Sequence, residues 1–314
     1  MSFSQTVKED LLKKNNDSEV ADKLQIEAML RFSSEIIIGN PLKLAFSASL
    51  MSVIRNFILL IKKYYDVEYE IESRKISRLD HHTFFTLTVY KGAKDIIDDL
   101  NLIKYSSSYR DMELDDDLKI AYLRGAFLVK GTVNDPNSKS SHLEISSINE
   151  NEVLFVQKLM NEFEMDARIA KRKNYLITYI KAKNIIGDFL YLLGATSSME
   201  YYEDVIITKE IKTTAKRTIN LDVANQDKTN NAAKEQLAII RYLEYNYPLE
   251  KLDSKLLMVM KVRKENPEHS LMQLLDIIHE DYDPKLTKSG LNHRFRKLKE
   301  IAKEHSERKE KRWR

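Results

Sequence analysis

The sequence predicts an α+β fold in two parts, a duplicated helix-and-strand region followed by an all-α region that ends in two helices joined by a turn. Three observations predict it. A short pattern recurs at an offset of 89 residues, where Lys94, Ile96, Ile97 and Asp99 are matched by Lys183, Ile185, Ile186 and Asp188. An alternating run of β-branched and aromatic residues stands before each copy, at 85–90 and 175–180, and period-two alternation reads as a strand. After about Thr208 the strand signals stop, and polar helical stretches punctuated by Pro248, Pro267 and Pro284 take over.

The elements follow the same order in both halves. Helices at 19–32 and 118–129 open them, and strand candidates at 42–47 and 142–146 come next. Segments 53–64 and 153–163 repeat apolar residues at the 3.6-residue period of a helix. Segments 67–71 and 167–170 then precede the alternating runs, which predicts a hairpin in each half. The repeated Lys-x-Ile-Ile-x-Asp pattern closes each half as a helix. Two α+β repeats, at about 19–103 and 118–195, fit this order better than two unrelated folds, and they predict one domain over 1–217. A helical linker crosses the boundary into a second domain, 218–314, in which 231–243 and 254–263 are the clearest helices.

Composition excludes several classes of function. A chain of 314 residues is long enough for one large or two ordinary domains. Its 43% hydrophobic and 32% charged residues give a globular balance. The longest apolar runs, such as Phe57-Ile58-Leu59-Leu60-Ile61, fall far short of the roughly 20 residues of a bilayer span, so no membrane role is expected. Lys8, Glu9 and Asp10 precede any apolar stretch, which argues against a secretory signal. With no cysteine there is no disulfide, thiolate nucleophile or Cys-ligated zinc, and a cytoplasmic location is expected. Seven glycines and no glycine-rich phosphate loop leave a nucleotide site without support. Asp115-Asp116-Asp117 reads as charge complementing a helix N-terminus rather than as a metal cluster. His81-His82, beside Asp80, has no third ligand in view and reads as a solvated loop. No metal or cofactor is expected.

The net charge of +3 is unevenly spread. Residues 219–284 hold 8 Lys and Arg against 12 Asp and Glu, whereas residues 285–314 hold 12 against 4. A cationic end on a near-neutral body is a footprint of polyanion binding. Within it, Ser270-Leu271-Met272-Gln273 is a capping box, opening a helix that buries Leu271, Leu274, Leu275 and Ile278. A polar turn with Asp281, Asp283 and Pro284 follows, and Thr287 caps a second helix running to about Ala302. There Leu291, Phe295, Leu298 and Ala302 share one face, which leaves Ser289, Asn292, His293, Arg296 and Lys297 on or near the other. Arg pairs bidentately with guanine, Asn with adenine, and Ser with either. Two short helices presenting such groups, at about 269–303, describe a helix-turn-helix whose second helix enters the major groove. Lys285, Lys288, Arg294 and Lys299 are the expected phosphate contacts, which position without reading sequence. An ordinary solvated helix face mixes charge signs, but here Glu300 is the first acid after Asp283. The last residues, from 307 on, are expected to fray.

Several stretches resemble the WhiA family of Gram-positive bacteria and their wall-less relatives. They are Met1-Ser2-Phe3-Ser4, Tyr122-Leu123-Arg124-Gly125-Ala126-Phe127-Leu128 and His142-Leu143-Glu144-Ile145, then Asn220, Ala224-Asn225, Asp227-Lys228-Thr229 and Ala232-Ala233. The most specific is Lys288-Ser289-Gly290-Leu291-Asn292-His293-Arg294-Phe295-Arg296-Lys297-Leu298. The resemblance spans nearly the whole chain. It implies a degenerate LAGLIDADG homing-endonuclease-like domain of two αββαββα halves, joined to a helix-turn-helix resembling the promoter-reading region of sigma factors. It also implies binding to double-stranded DNA, a nucleoid-associated location, a role in transcription regulation, cell division and chromosome segregation (sporulation in relatives), and contact with the transcription or cell-division machinery.

In an active homing endonuclease the penultimate carboxylate of each LAGLIDADG helix holds a divalent metal. The second copy here reads Leu123-Arg124-Gly125-Ala126-Phe127-Leu128-Val129-Lys130-Gly131, with Lys130 at that position; the first, aligned over 26–34, places Ser33 there. Phosphodiester cleavage needs anionic oxygen ligands for Mg²⁺. An ammonium has no lone pair and repels the cation, so a non-enzymatic protein without catalytic residues is expected. The competing readings are a residual metal-dependent nuclease and a ligand- or protein-binding module tethered to DNA.

Overall fold

The duplication reappears as two sheets of the same strand order. The computed structural model describes residues 1–75, 83–103 and 114–311. Helix α1 (Phe3–Leu11) precedes a first half of α2 (Glu19–Ser33), β1 (Ser34–Ile37), β2 (Lys43–Ala48), α3 (Met51–Tyr64), β3 (Glu68–Lys75), β4 (Thr83–Lys91) and α4 (Ala93–Asp99). The second half repeats the plan with α5 (Asp116–Lys130), β5 (Gly131–Val133), β6 (Leu143–Ser147), α6 (Glu150–Glu162), β7 (Arg168–Arg172), β8 (Tyr175–Ile180) and α7 (Lys183–Leu193). Each half forms an antiparallel four-stranded sheet, ordered β1-β2-β4-β3 and β5-β6-β8-β7. Both halves are therefore αββαββα.

Three elements lie outside the sequence expectation. Strands β1 and β5 have four and three residues and continue directly from the helices before them, too short for a period to register. Helix α1 does carry a readable signal: Ser2 and Gln5 form a capping box, and Phe3, Val7 and Leu11 are buried at steps of four. Asp115 caps α5 by accepting a hydrogen bond from the Leu118 backbone at 2.9 Å. His81-His82 lies outside the described residues.

Helices α2 and α5 pack along each other at the centre of the first unit. Gly125 permits their close approach, because a Cβ there would stand 2.5 Å from the Gln25 carbonyl oxygen and 2.9 Å from the Ala28 Cβ. Arg124 ties neighbouring segments to this contact, donating to the Leu193 carbonyl at 3.0 Å and to Asn16 Oδ1 at 2.7 Å. The fully buried carboxylates Glu27 and Glu152 are held by Arg31 and by the Tyr122 hydroxyl, which donates to Glu152 at 2.6 Å. Paired in this way, the charges are tolerated in the interior.

Lys8 differs, since it is only 6% exposed and has no ion-pair or hydrogen-bond partner among the described residues. Burial, reinforced by the nearby Lys130 charge, brings its pKa down from 10.5 to about 8. Between these values the unfolded chain holds a proton that the folded protein has released, so stability rises with pH across that window. In phosphate-free buffer the gain from pH 8 to 10.5 should approach about 3 kcal/mol. Urea unfolding of the wild type and Lys8→Met at both pH values checks this; an identical pH response in the two proteins contradicts it.

The chain divides into two compact units, Met1–Glu210 and Ile211–Arg314. Helix α8 (Thr196–Asn246) contributes residues to both and is continuous over 51 residues, where the sequence suggested separate stretches. No Pro or Gly interrupts 196–246, and residues 211–228 are exposed throughout, the apolar Ile211, Ile219, Leu221 and Val223 included, so no buried face marks the middle of the helix. The second unit adds a 3-10 turn (Leu249–Lys251), α9 (Ser254–Glu265), α10 (Leu271–Asp281) and α11 (Lys288–Lys311). Its core joins Ile240 and Leu243 to Val259, Leu274, Ile278, Leu291, Phe295 and Leu298. Helix α11 passes the expected end at Ala302 and reaches Lys311, where the sequence suggested fraying from 307; Lys303–Glu307 and Glu304–Arg308 are ion pairs at i,i+4 spacing. No helix among the described residues is long and apolar enough to cross a membrane.

Candidate nucleic-acid interface

The α10–turn–α11 segment is built around a few polar anchors. Ser270 and Gln273 form the capping box of α10, and Leu274, Leu275 and Ile278 face the core. In the turn, His279 Nε2 lies 2.6 Å from the Leu286 carbonyl oxygen, while Leu286 itself is buried. Asp283 accepts from the Lys285 backbone at 3.2 Å and from Arg294 at 3.3 Å, joining the turn to the second turn of α11. Thr287 Oγ1 accepts the Gly290 backbone N–H at 3.1 Å and so caps α11. Behind the pair, the buried Arg263 of α9 donates to the His269 carbonyl at 2.6 Å and to Gln236 Oε1 at 2.9 Å, with its guanidinium 5.7 Å from the Phe295 ring centre. A buried arginine interrupts the apolar pattern of α9, so no sequence period marks this strut.

The anchoring divides the faces of α11 sharply. Leu291, Phe295, Leu298 and Ala302 are buried, whereas Lys285, Thr287, Lys288, Ser289, His293, Arg296 and Lys297 are exposed and Asn292 is half-buried. Thr287, Lys288, Ser289, Asn292, His293 and Arg296 line one open depression of about 580 Å³. Lys285, Lys288, Arg296 and Lys297 have no ion-pair partner among the described residues. The other two predicted cations are engaged: the Arg294 side chain is 14% exposed and bonded to Asp283, and Lys299 pairs with Glu235 of α8. Arg294 is thus positioned as a brace for the turn, and Lys299 reaches solvent with its charge partly met.

Ser33 and Lys130, the two positions that the sequence alignment sets against the metal-binding carboxylates of an active enzyme, lie in the first unit. Ser33 and Lys130 are the final residues of α2 and α5, and both line a groove of about 1050 Å³ along with residues of both sheets. Ser33 Oγ donates to the Ser47 carbonyl at 2.6 Å. Burial lowers the Lys130 pKa. The nearest groove acids by sequence are Glu35, Glu70 and Glu72, set on β1 and β3, and no group of three metal-binding side chains occurs among the described residues.

Known proteins resemble the chain over nearly its full length. Residues 19–103 match the WhiA N-terminal LAGLIDADG-like domain, 119–212 the WhiA LAGLIDADG-like domain and 215–302 the WhiA C-terminal HTH domain. Curated relatives include the "Probable cell division protein WhiA" of Staphylococcus carnosus and of Staphylococcus aureus strain JH9, each 33% identical over 307 residues and covering 96% of both chains. Among solved structures, full-length DUF199/WhiA from Thermatoga maritima covers 97% of this chain and 99% of its own, at 24% identity and a TM-score of 0.60. The N-terminal LAGLIDADG domain of DUF199/WhiA covers 62% of this chain and 90% of its own, at 23% identity and a TM-score of 0.50, a likeness of fold. With two LAGLIDADG-like halves, a helix-turn-helix and relatives of this identity, the chain belongs to the WhiA family.

Proposed function

We propose that the protein is a sequence-preferring, non-enzymatic DNA-binding protein that places α11 in the major groove and regulates transcription connected with cell division and chromosome segregation. The observation that carries this reading is the set of base-reading and phosphate-pairing side chains on the outward face of α11, free of acids until Glu300. Arg296 and Asn292 are the base readers, with Ser289 and His293 beside them. Lys285, Lys288 and Lys297 neutralise phosphates, while Arg294 and Lys299 contribute less because Asp283 and Glu235 already compensate them. The cell-division role follows the names of the staphylococcal relatives. A nucleoid location would accompany such binding.

Equilibrium binding to duplex DNA across a salt series tests the phosphate roles. Lys285→Ala should weaken every duplex alike and flatten the slope of log K against log salt by about 0.9; an unchanged slope contradicts it. The absence of chemistry rests on Lys130, whose ammonium occupies a former carboxylate position and offers a metal no lone pair. Supercoiled plasmid incubated with the protein and Mg²⁺ should stay intact. Nicking that a chelator abolishes would restore the nuclease reading.

A further inference from the structure

Two inward-set cations of the first unit have no part in DNA reading by α11. Lys8, on α1, is nine-tenths buried, and its ammonium opens into a cavity of about 420 Å³. Lys130 stands close enough for the two charges to repel. Neither lysine has a hydrogen-bond or ion-pair partner among the described residues. Interior charges are ordinarily paired, because an unmatched one loses its hydration without compensation.

The cavity wall is rich in hydroxyls. Ser4 is committed to strand β5, accepting from the Val133 N–H at 2.8 Å and donating to the Val133 carbonyl at 2.7 Å. Ser2 and Gln5 are committed to the cap of α1. The hydroxyls of Ser49, Thr83 and Thr132, which also line the cavity, have no partner among the described residues. An unpaired lysine that lines the same cavity as unpartnered hydroxyls is a donor set for a compact, highly charged anion, and charge-assisted hydrogen bonds to phosphate are the strong kind.

We infer that this cavity binds the phosphate group of a small phosphorylated molecule, held by Lys8 with the Ser49 and Thr132 hydroxyls, while Lys130 adds positive potential from the adjoining groove. Duplex DNA fits less well. The acids Glu35, Glu70 and Glu72 line that groove alongside Lys43, Arg74 and Lys130, so its charges balance and it offers no net attraction to a second row of phosphates. The site is independent of the DNA reading by α11, and either can fail alone.

The test uses the full chain, with inorganic phosphate and glycerol 3-phosphate as probes and chloride at equal ionic strength as the control. Thermal unfolding and ³¹P line broadening should both show a saturable response in the wild type. Lys8→Met should be more stable than the wild type without ligand and lose at least tenfold in apparent affinity. Lys130→Met should lose severalfold, and Lys94→Met, at an exposed lysine, should respond as the wild type does. A wild-type response no greater than that to chloride overturns the inference, as does an undiminished response in Lys8→Met. If the probes fail to bind but Lys8→Met weakens duplex DNA binding tenfold, the cavity serves the DNA backbone and the small-molecule assignment is wrong.

Discussion

Gly125→Val is expected to lower the unfolding temperature of the first unit by about 10 °C or more, and to leave the second unit's transition in place. A Cβ at this position meets the Gln25 carbonyl at 2.5 Å and the Ala28 Cβ at 2.9 Å, both on α2. The first obstacle is backbone, which cannot rotate away as a flexible side chain would, so α2 and α5 must separate. Inserting bulk into a packed core costs about 1–3 kcal/mol, and more when helices shift. The contact between α2 and α5 is also the junction of the two halves, so separation loosens packing on both sides. At about 2–4 °C per kcal/mol for a unit of this size, a loss of several kcal/mol gives the stated shift. Differential scanning calorimetry measures it. Gly125→Ala should show the same sign at smaller size, and a shift below about 2 °C for the valine variant would show that the helices do not depend on this approach.

Arg296→Ala should abolish preference for the best genomic site with little effect on general affinity for DNA. The side chain is exposed on α11, unpaired among the described residues, and adjacent in space to Asn292 and His293 along the same depression. A bidentate arginine–guanine contact discriminates by about 1–3 kcal/mol, which is roughly a 5- to 150-fold loss on the preferred fragment. Non-specific affinity, set by phosphate neutralisation, remains with Lys285, Lys288 and Lys297. Competition of labelled preferred fragment against bulk genomic DNA separates the two quantities. Equal loss on both would assign Arg296 to the backbone instead.

Much of this architecture can be read in the chain. Long helices and strands announce themselves when one face is buried: the alternation of 175–180 returns as β8 with the same bounds, and the capping box at Ser270 opens α10. The exposed face of α11 was legible for the same reason, since Leu291, Phe295 and Leu298 fix which residues turn outward. Strands β1 and β5 were invisible because pairing with β2 and β6, rather than their own composition, makes them strands. The engagement of Arg294 by Asp283 spans eleven positions across a turn, and that of Lys299 by Glu235 spans sixty-four, separations at which no periodicity operates. Lys8 illustrates the remaining gap. On a helix of ordinary composition a lysine reads as solvated, and only the packing of α1 against α5 and β5 buries it.

The most direct test of the account maps the genomic DNA bound by the full-length protein and by Arg296→Ala in parallel. The wild type should concentrate on a limited set of sites sharing a guanine-containing motif, and the variant should spread over DNA without that motif. An identical pattern for the two proteins, or no enrichment by the wild type at moderate salt, would contradict the assignment of the α11 face as the surface that reads sequence.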